Sequence, residues 1–372
     1  MSKKIERFLT VRQVVLLIIC FSIGGGILYL PNSAAKALGS GGWLWIFGIG
    51  LLVMINGLIT ARLVRMFPED TVIEFTQKLL GKPLGIAASL LLILFFFSFI
   101  PFEVRILREL VNISILPQAP FWFIGGLFML TLAYGASKDI KSIVYVNELL
   151  MEVALVIGLL VTFLAWQHFD PIHLFPILGE TRIDLEHIRE ELGVAYTYTG
   201  FPVIFFLVPY LKFPQKVGKA TLIGTALLVF TYTFFTLTVI GVFGYKETLN
   251  LAFPGLELAK SVNLETVILE RLDLVLIVSW ISAVFTTCLV SYFITALGIS
   301  KLLGIKNHSL VTWALAPLTY YLSTLFTNYF TWRRWSVYLG IFALLITLIL
   351  PITLLIIALI RRRILPQQSA GE

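Results

Sequence analysis

The polar groups that could do chemistry in this chain are few, and most sit inside apolar runs. Pro101-Phe102-Glu103-Val104-Arg105-Ile106-Leu107-Arg108-Glu109 places two carboxylates and two guanidiniums in one such run. Arg105 and Glu109 stand four apart, so an ion pair along one helix face is available to them. Glu103 points elsewhere and needs a partner from another helix or from water. Glu148 and Glu152 repeat the four-residue spacing beside Asn147. An ionised side chain at mid-bilayer costs about 2.5 kcal/mol or more, so such groups face a bundle interior. The chemistry they suit is proton or water passage, with Glu103 and Glu152 as the candidates. Glu148, Arg108 and Glu109 equally suit wet vestibules at the ends of their runs. A later stretch carries Ser279, Ser282, Thr286, Thr287 and Ser291. There the pair Thr286 and Thr287 could coordinate sodium with carbonyls of the first apolar run, although such hydroxyls also bond to their own helix. No nucleophile–base pair, phosphate loop or other metal cluster is legible, so neither an enzyme nor a cofactor is implied. Cys20 and Cys288 lie in apolar stretches and read as small hydrophobes.

A second kind of chemistry lies in the backbone. Ser22-Ile23-Gly24-Gly25-Gly26-Ile27-Leu28-Tyr29-Leu30-Pro31 holds three consecutive glycines, each about 1 kcal/mol worse than alanine inside a helix. Lipid offers no partner for the backbone groups this frees. The stretch therefore predicts a discontinuous helix whose amides near Gly25 to Leu28 face a carboxylate; the alternative is a close helix crossing through small residues. Tyr196-Thr197-Tyr198-Thr199-Gly200-Phe201-Pro202 repeats the pattern. Pro202 removes a donor and clashes with the carbonyl of Tyr198, and hydroxyls at Thr197 and Thr199 can serve the loosened backbone. An ordinary proline kink is the alternative.

Membrane helices must position these groups. The 372 residues are 58% hydrophobic and 13% charged, with a net charge of +7. A soluble domain carries about a quarter charged residues. The apolar excess exceeds what one core can hide, so the lipid bilayer is the solvent. The spans are read at 11–36, 42–66, 84–113, 119–136, 142–166, 191–211, 217–245, 272–303, 309–328 and 335–360. No cleavage site follows the first run, which reads as a retained signal anchor. Eighteen lysines and arginines fall on one side of these spans and eight on the other, with Arg105 and Arg108 inside a span. That places both termini in the cytoplasm and assigns the charge to orientation rather than to nucleic acid. Outside lie two longer loops, Gln167 to Glu190 and Lys246 to Arg271. The second contains a short amphipathic helix from Pro254, expected to cap the bundle or lie at the interface.

The two breaks are five spans apart, so each opens one half of a five-plus-five chain. The expectation is an all-α polytopic membrane protein of about ten helices, an inverted repeat with broken helices one and six. Its single domain, 1–372, divides into repeats 1–166 and 191–360, with a basic tail at 361–372. A small ligand would bind at mid-membrane, between the broken helices.

Several stretches carry a resemblance over essentially the whole chain. They are Leu9-Thr10-Val11-Arg12-Gln13, the glycine run to Pro31, Phe175-Pro176-Ile177-Leu178-Gly179-Glu180, Pro209-Tyr210-Leu211-Lys212, Phe253-Pro254-Gly255-Leu256-Glu257-Leu258-Ala259 and Leu269-Glu270-Arg271-Leu272-Asp273. In these the chain resembles the B subunit of bacterial spore germinant receptors, a branch of the amino acid–polyamine–organocation transporter superfamily. The resemblance implies a transporter-like fold in the spore inner membrane, A and C subunits as partners, and sensing of a small nutrient, commonly an amino acid. Carried onto this sequence, the ligand would touch Gly24, Gly25, Gly26, Ile27, Tyr198, Thr199, Gly200 and Thr286. A proton- or sodium-coupled amino-acid permease is the rival reading, and a ligand-gated conduit for water or ions a third.

Overall fold

A computed structural model of the chain describes residues 6–177, 196–262, 272–326 and 329–364. Among these, helix is the dominant structure and there is no strand. Thr10 opens α1, Val11–Ile23, through a capping box with Gln13. The chain continues through a 3-10 turn at Gly25–Leu28, α2 (Leu30–Leu38) and α3 (Gly42–Val64). Then come α4 (Val72–Leu80), α5 (Lys82–Ser114), α6 (Phe121–Ala136) and α7 (Ile140–Leu164). The second half contains α8 (Ile204–Leu207), flanked by 3-10 turns at Phe201–Val203 and Val208–Tyr210, followed by α9 (Val217–Asn250), α10 (Pro254–Ser261) and α11 (Leu272–Leu303). It ends with α12 (His308–Thr324), α13 (Tyr329–Leu344) and α14 (Leu350–Ile364), the last two joined by a π-helical stretch.

Helical segments overlap every expected span. Among the described residues six are long and apolar enough to cross a bilayer, and Val11–Ile23, Phe121–Ala136 and Phe201–Tyr210 are shorter apolar pieces. The protein is a helical membrane protein. Its lipid-facing surface is marked by exposed apolar side chains that water would not tolerate in such density, among them Leu52 on α3, Trp122 on α6 and Val156 on α7. By contrast α1 is buried on every side from Gln13 to Ile23. A helix apolar all round belongs in the middle of a bundle, and α7, α9 and α11 surround it.

Two features refine the expected layout. First, α4 is an added helix on the basic face, too short to span. Its start is a capping box between Thr71 and Glu74, a signal legible in Thr-x-x-Glu. Second, α10 packs inward instead of lying at the interface: Leu256, Leu258 and Ala259 are buried. A Cβ on Gly255 would stand 2.9 Å from Phe235 and 3.0 Å from Leu28, so the helix caps the bundle directly over the first break. Gly244 (φ +75) supplies the left-handed residue that turns the end of α9 towards this cap. The freed carbonyls of Thr248, Leu249 and Leu251 are collected by Asn32 Nδ2 at 3.0, 2.9 and 3.0 Å.

Candidate functional site

The first break occurs where the glycines place it. Helix α1 stops at Ile23, Gly24 leaves the helical region (φ −43, ψ −136), and a 3-10 turn starts at Gly25. Carbonyls that lose their amide partners there are taken by side chains from other helices. Thr287 Oγ1 donates to the Cys20 carbonyl at 2.6 Å. The Trp280 indole donates to the Gly24 carbonyl at 3.2 Å. The Tyr232 hydroxyl lies 2.5 Å from the Ser22 carbonyl and 3.0 Å from that of Thr197, so one phenol serves both broken helices. These bonds serve carbonyls that a hydrocarbon surround would leave unpaired.

The second break is held against the first. A Cβ on Gly200 would stand 1.9 Å from the Ile18 carbonyl oxygen and 2.3 Å from Ser22 Oγ. One on Gly26 would meet Thr197 Cγ2 at 2.3 Å. Glycine at both positions therefore allows direct backbone approach, so the alternative use of these glycines, close packing, operates together with the break. The ends of the segments are also tied: Phe8 and Leu9 amides donate to the Tyr210 carbonyl, each at 2.9 Å, and Lys212 N donates to the Leu9 carbonyl at 3.0 Å.

Charge converges on the same point. Glu103 is 1% exposed, and its Oε1 lies 3.2 Å from where a Cβ on Gly24 would stand. Thr287 Oγ1 is 2.9 Å from that position. Phe99 and Phe102 stack on and against Tyr196, closing the wall from α5 to the second break. Beside the break, Ile23, Ile27, Leu28, Phe235, Trp280 and Ala283 line part of an apolar pocket.

Gly24 thus meets Glu103 and Thr287, Gly26 meets Thr197, Gly200 meets Ile18 and Ser22, Gly25 begins the intervening turn, and Ile27 faces the apolar pocket. Tyr198 turns its hydroxyl to the Ile46 carbonyl on α3 (3.0 Å), while its ring packs on Tyr232. Thr199 bonds within its own segment, to Tyr196 at 2.7 Å, and Thr286 within α11, to Ala283 at 2.8 Å. Both Thr286 and Thr287 protons therefore lie on carbonyls, and Thr287 is the one whose partner is the first break. Glu152 sits at the basic face, paired with Arg12, which also holds Glu148 at 3.3 Å. Arg105 and Glu109 form the ion pair their spacing allows. Sequence reasoning missed Tyr232 and Trp280 in this role. An intramembrane tyrosine or tryptophan always needs a partner for its polar tip, which is the signal that could have found them.

A family model described as spore germination protein matches residues 8–331. The chain belongs to the spore germination protein family. Among its relatives is the spore germination protein YndE of Bacillus subtilis, 28% identical over 321 residues, covering 86% of this chain and 88% of that one. Spore germination protein B2 of the same organism is 26% identical, with 82% of each chain covered. GerLB of Bacillus cereus is 23% identical over 92% of this chain and 91% of its own. This spore germination protein also shares the fold of a transporter, MhsT, solved in complex with L-phenylalanine. That likeness has a TM-score of 0.56 and 14% identity, and covers 95% of this chain and 99% of MhsT.

Proposed function

We propose that this chain is the nutrient-sensing subunit of a spore germinant receptor, binding a small ligand, an amino acid, where its two broken helices meet. The observation that carries the reading is that the second break packs on the first at Gly26 and Gly200 while Glu103 and Thr287 close on Gly24. Amides of the turn at Gly25–Leu28 suit a ligand carboxylate. Glu103 suits its ammonium group, and the adjoining pocket suits an apolar side chain. That MhsT was solved with L-phenylalanine supports an amino acid as ligand. In this reading Gly24, Gly25, Gly26, Ile27, Tyr198, Thr199, Gly200 and Thr286 surround the ligand. Glu103 and Glu152 serve a proton or water path, and any sodium would sit near Thr286 and Thr287. The chain works without catalysis or cofactor, beside A and C subunits in the spore inner membrane, with both termini cytoplasmic and repeats at 1–166 and 191–360. Ligand binding biases the packing of the two broken helices against each other, and partners receive that change.

The transporter fold and the buried Glu103 favour a second reading, a proton- or sodium-coupled amino-acid permease. Reconstituted vesicles separate the two. Tight binding without flux supports the receptor, and uptake driven by an ion gradient supports the permease. Gly25→Leu should abolish the response while the protein still reaches the membrane. Glu103→Gln or Glu152→Gln should alter the pH profile of the response, and unchanged profiles in both would remove these carboxylates from the mechanism.

A further inference from the structure

A second charged cluster lies away from the breaks, towards the C-terminal end of α5. Arg108 is 8% exposed, and its Nε and Nη1 are buried without a hydrogen-bond partner. Its alkyl stem is clamped by α6, since a Cβ on Gly125 would stand 2.7 Å from Arg108 Cδ. Arg105 is the neighbouring cation, and both guanidiniums lie over the ring of Phe121, at 5.6 Å for Arg105 and 5.2 Å for Arg108. The only carboxylate in an ion pair with either, among the described residues, is Glu109, and it is bound to Arg105. Arg105 also donates Nε to the Phe326 carbonyl at 2.6 Å. Two cations and one anion leave a positive charge beside a ring that satisfies no N–H geometry fully. A buried guanidinium without oxygen partners is among the costliest groups in a membrane protein.

The neighbourhood tells what kind of anion fits. Leu107 and Ile124, adjacent in sequence to Arg108 and to Gly125, line an apolar groove with an empty volume of about 960 Å³. The groove runs on past Val111, Leu127, Phe128 and Phe285. Leu127 is 58% exposed, and Trp122 and Phe123 are exposed beside the groove, the aromatic signature of a membrane–water boundary. An oxyanion at the boundary joined to hydrocarbon below it is the chemistry of a phospholipid. A headgroup with no positive charge of its own matches the one unbalanced cation, whereas a zwitterionic headgroup returns a positive charge to the site.

We infer that Arg108 and the groove between α5, α6 and α11 form a binding site for an anionic phospholipid, its phosphate on Arg108 and an acyl chain along Ile124, Leu127 and Phe128. The site is separate from the amino-acid site and does not depend on it. The full-length protein, purified and delipidated in detergent, is titrated with phosphatidylglycerol, phosphatidylcholine or inorganic phosphate. Thermal unfolding and native mass spectrometry are the readouts. Phosphatidylglycerol should raise the unfolding midpoint and remain bound, and phosphatidylcholine should do so far less. Arg108→Gln should weaken phosphatidylglycerol binding about tenfold or more, the loss expected for hydrogen bonds to a charged group. Arg108→Lys should retain part of it. Leu127→Trp, at an exposed position that fills the groove without touching the guanidinium, should also reduce binding and covers the case in which Arg108→Gln fails to fold. Equal phosphatidylglycerol binding by wild type, Arg108→Gln and Leu127→Trp would overturn the proposal. So would an inorganic phosphate effect as large as that of the lipid, because the groove would then contribute nothing.

Discussion

Thr287 Oγ1 donates to the carbonyl oxygen of Cys20 at 2.6 Å, a side chain of α11 completing the backbone of α1 where that helix ends. Its neighbour Thr286 donates within α11, to the Ala283 carbonyl, and meets the Cys20 thiol rather than the α1 backbone. Thr287→Val keeps the shape and leaves a buried carbonyl short of its donor, at a cost of about 1–3 kcal/mol. Thr286→Val leaves the Cys20 carbonyl bonded to Thr287 and should be milder. Thermal unfolding of the two variants in the same detergent checks the ordering; equal losses would mean that the Thr287 bond to Cys20 carries no special weight.

Tyr232 reaches both broken helices through one hydroxyl. Tyr232→Phe preserves the ring packed on Tyr198 and removes the hydroxyl that reaches both breaks. We expect a stability loss of about 1–3 kcal/mol and a larger loss of ligand affinity, because the bound arrangement depends on how the breaks sit against each other. Binding measured beside unfolding tests this, and affinity that stays at the wild-type level would count against a coupling role for the phenol.

Gly200 and Gly218 offer a paired test of backbone approach. A Cβ on Gly200 would collide with the Ile18 carbonyl at 1.9 Å, and one on Gly218 meets nothing within 4 Å. Rigid backbone cannot give way as a side-chain end can, so Gly200→Ala should destabilise by about 2 kcal/mol or more, in the range of severe overpacking. Gly218→Ala should be neutral or stabilising by up to about 1 kcal/mol, as expected for glycine replacement in a helix. Expression and unfolding midpoints decide it.

On the basic face, Glu74 caps α4 through the Thr71 amide at 2.9 Å and meets Lys301 at 2.7 Å. Burial pushes its carboxyl upward, but the Lys301 ammonium and the bonds to Lys301 and Thr71 outweigh this and hold it below the ordinary 4.5. A carboxyl whose folded pKa is depressed stabilises the fold above its unfolded pKa and loses that contribution as pH falls through the folded value. Glu74→Gln should therefore cost about 0.5–1 kcal/mol at neutral pH, the pair being partly exposed, and should flatten the decline in stability below pH 4.5. A pH series of unfolding midpoints for wild type and variant would reveal a parallel acid decline if the assignment is wrong.

The sequence by itself determined the membrane environment, the approximate placing of the helical segments, and the break at Gly24. These follow from local quantities: the length of apolar runs, and the poor helix propensity of three adjacent glycines in a medium without water. It also determined the Arg105–Glu109 pair, since four residues along one helix fix that neighbour relation. Pairings across helices were decided only by the tertiary structure. Thr287 and not Thr286 serves the first break, Tyr198 turns towards α3, and Glu152 joins Arg12 at the basic face, although adjacent or similar residues were equal candidates in the sequence. Which face of a helix meets which neighbour depends on rotation and crossing geometry, and in an apolar environment every face is hydrophobic enough to be buried. For the same reason Tyr232, Trp280 and the capping role of α10 over Leu28 became visible only once the helices were packed.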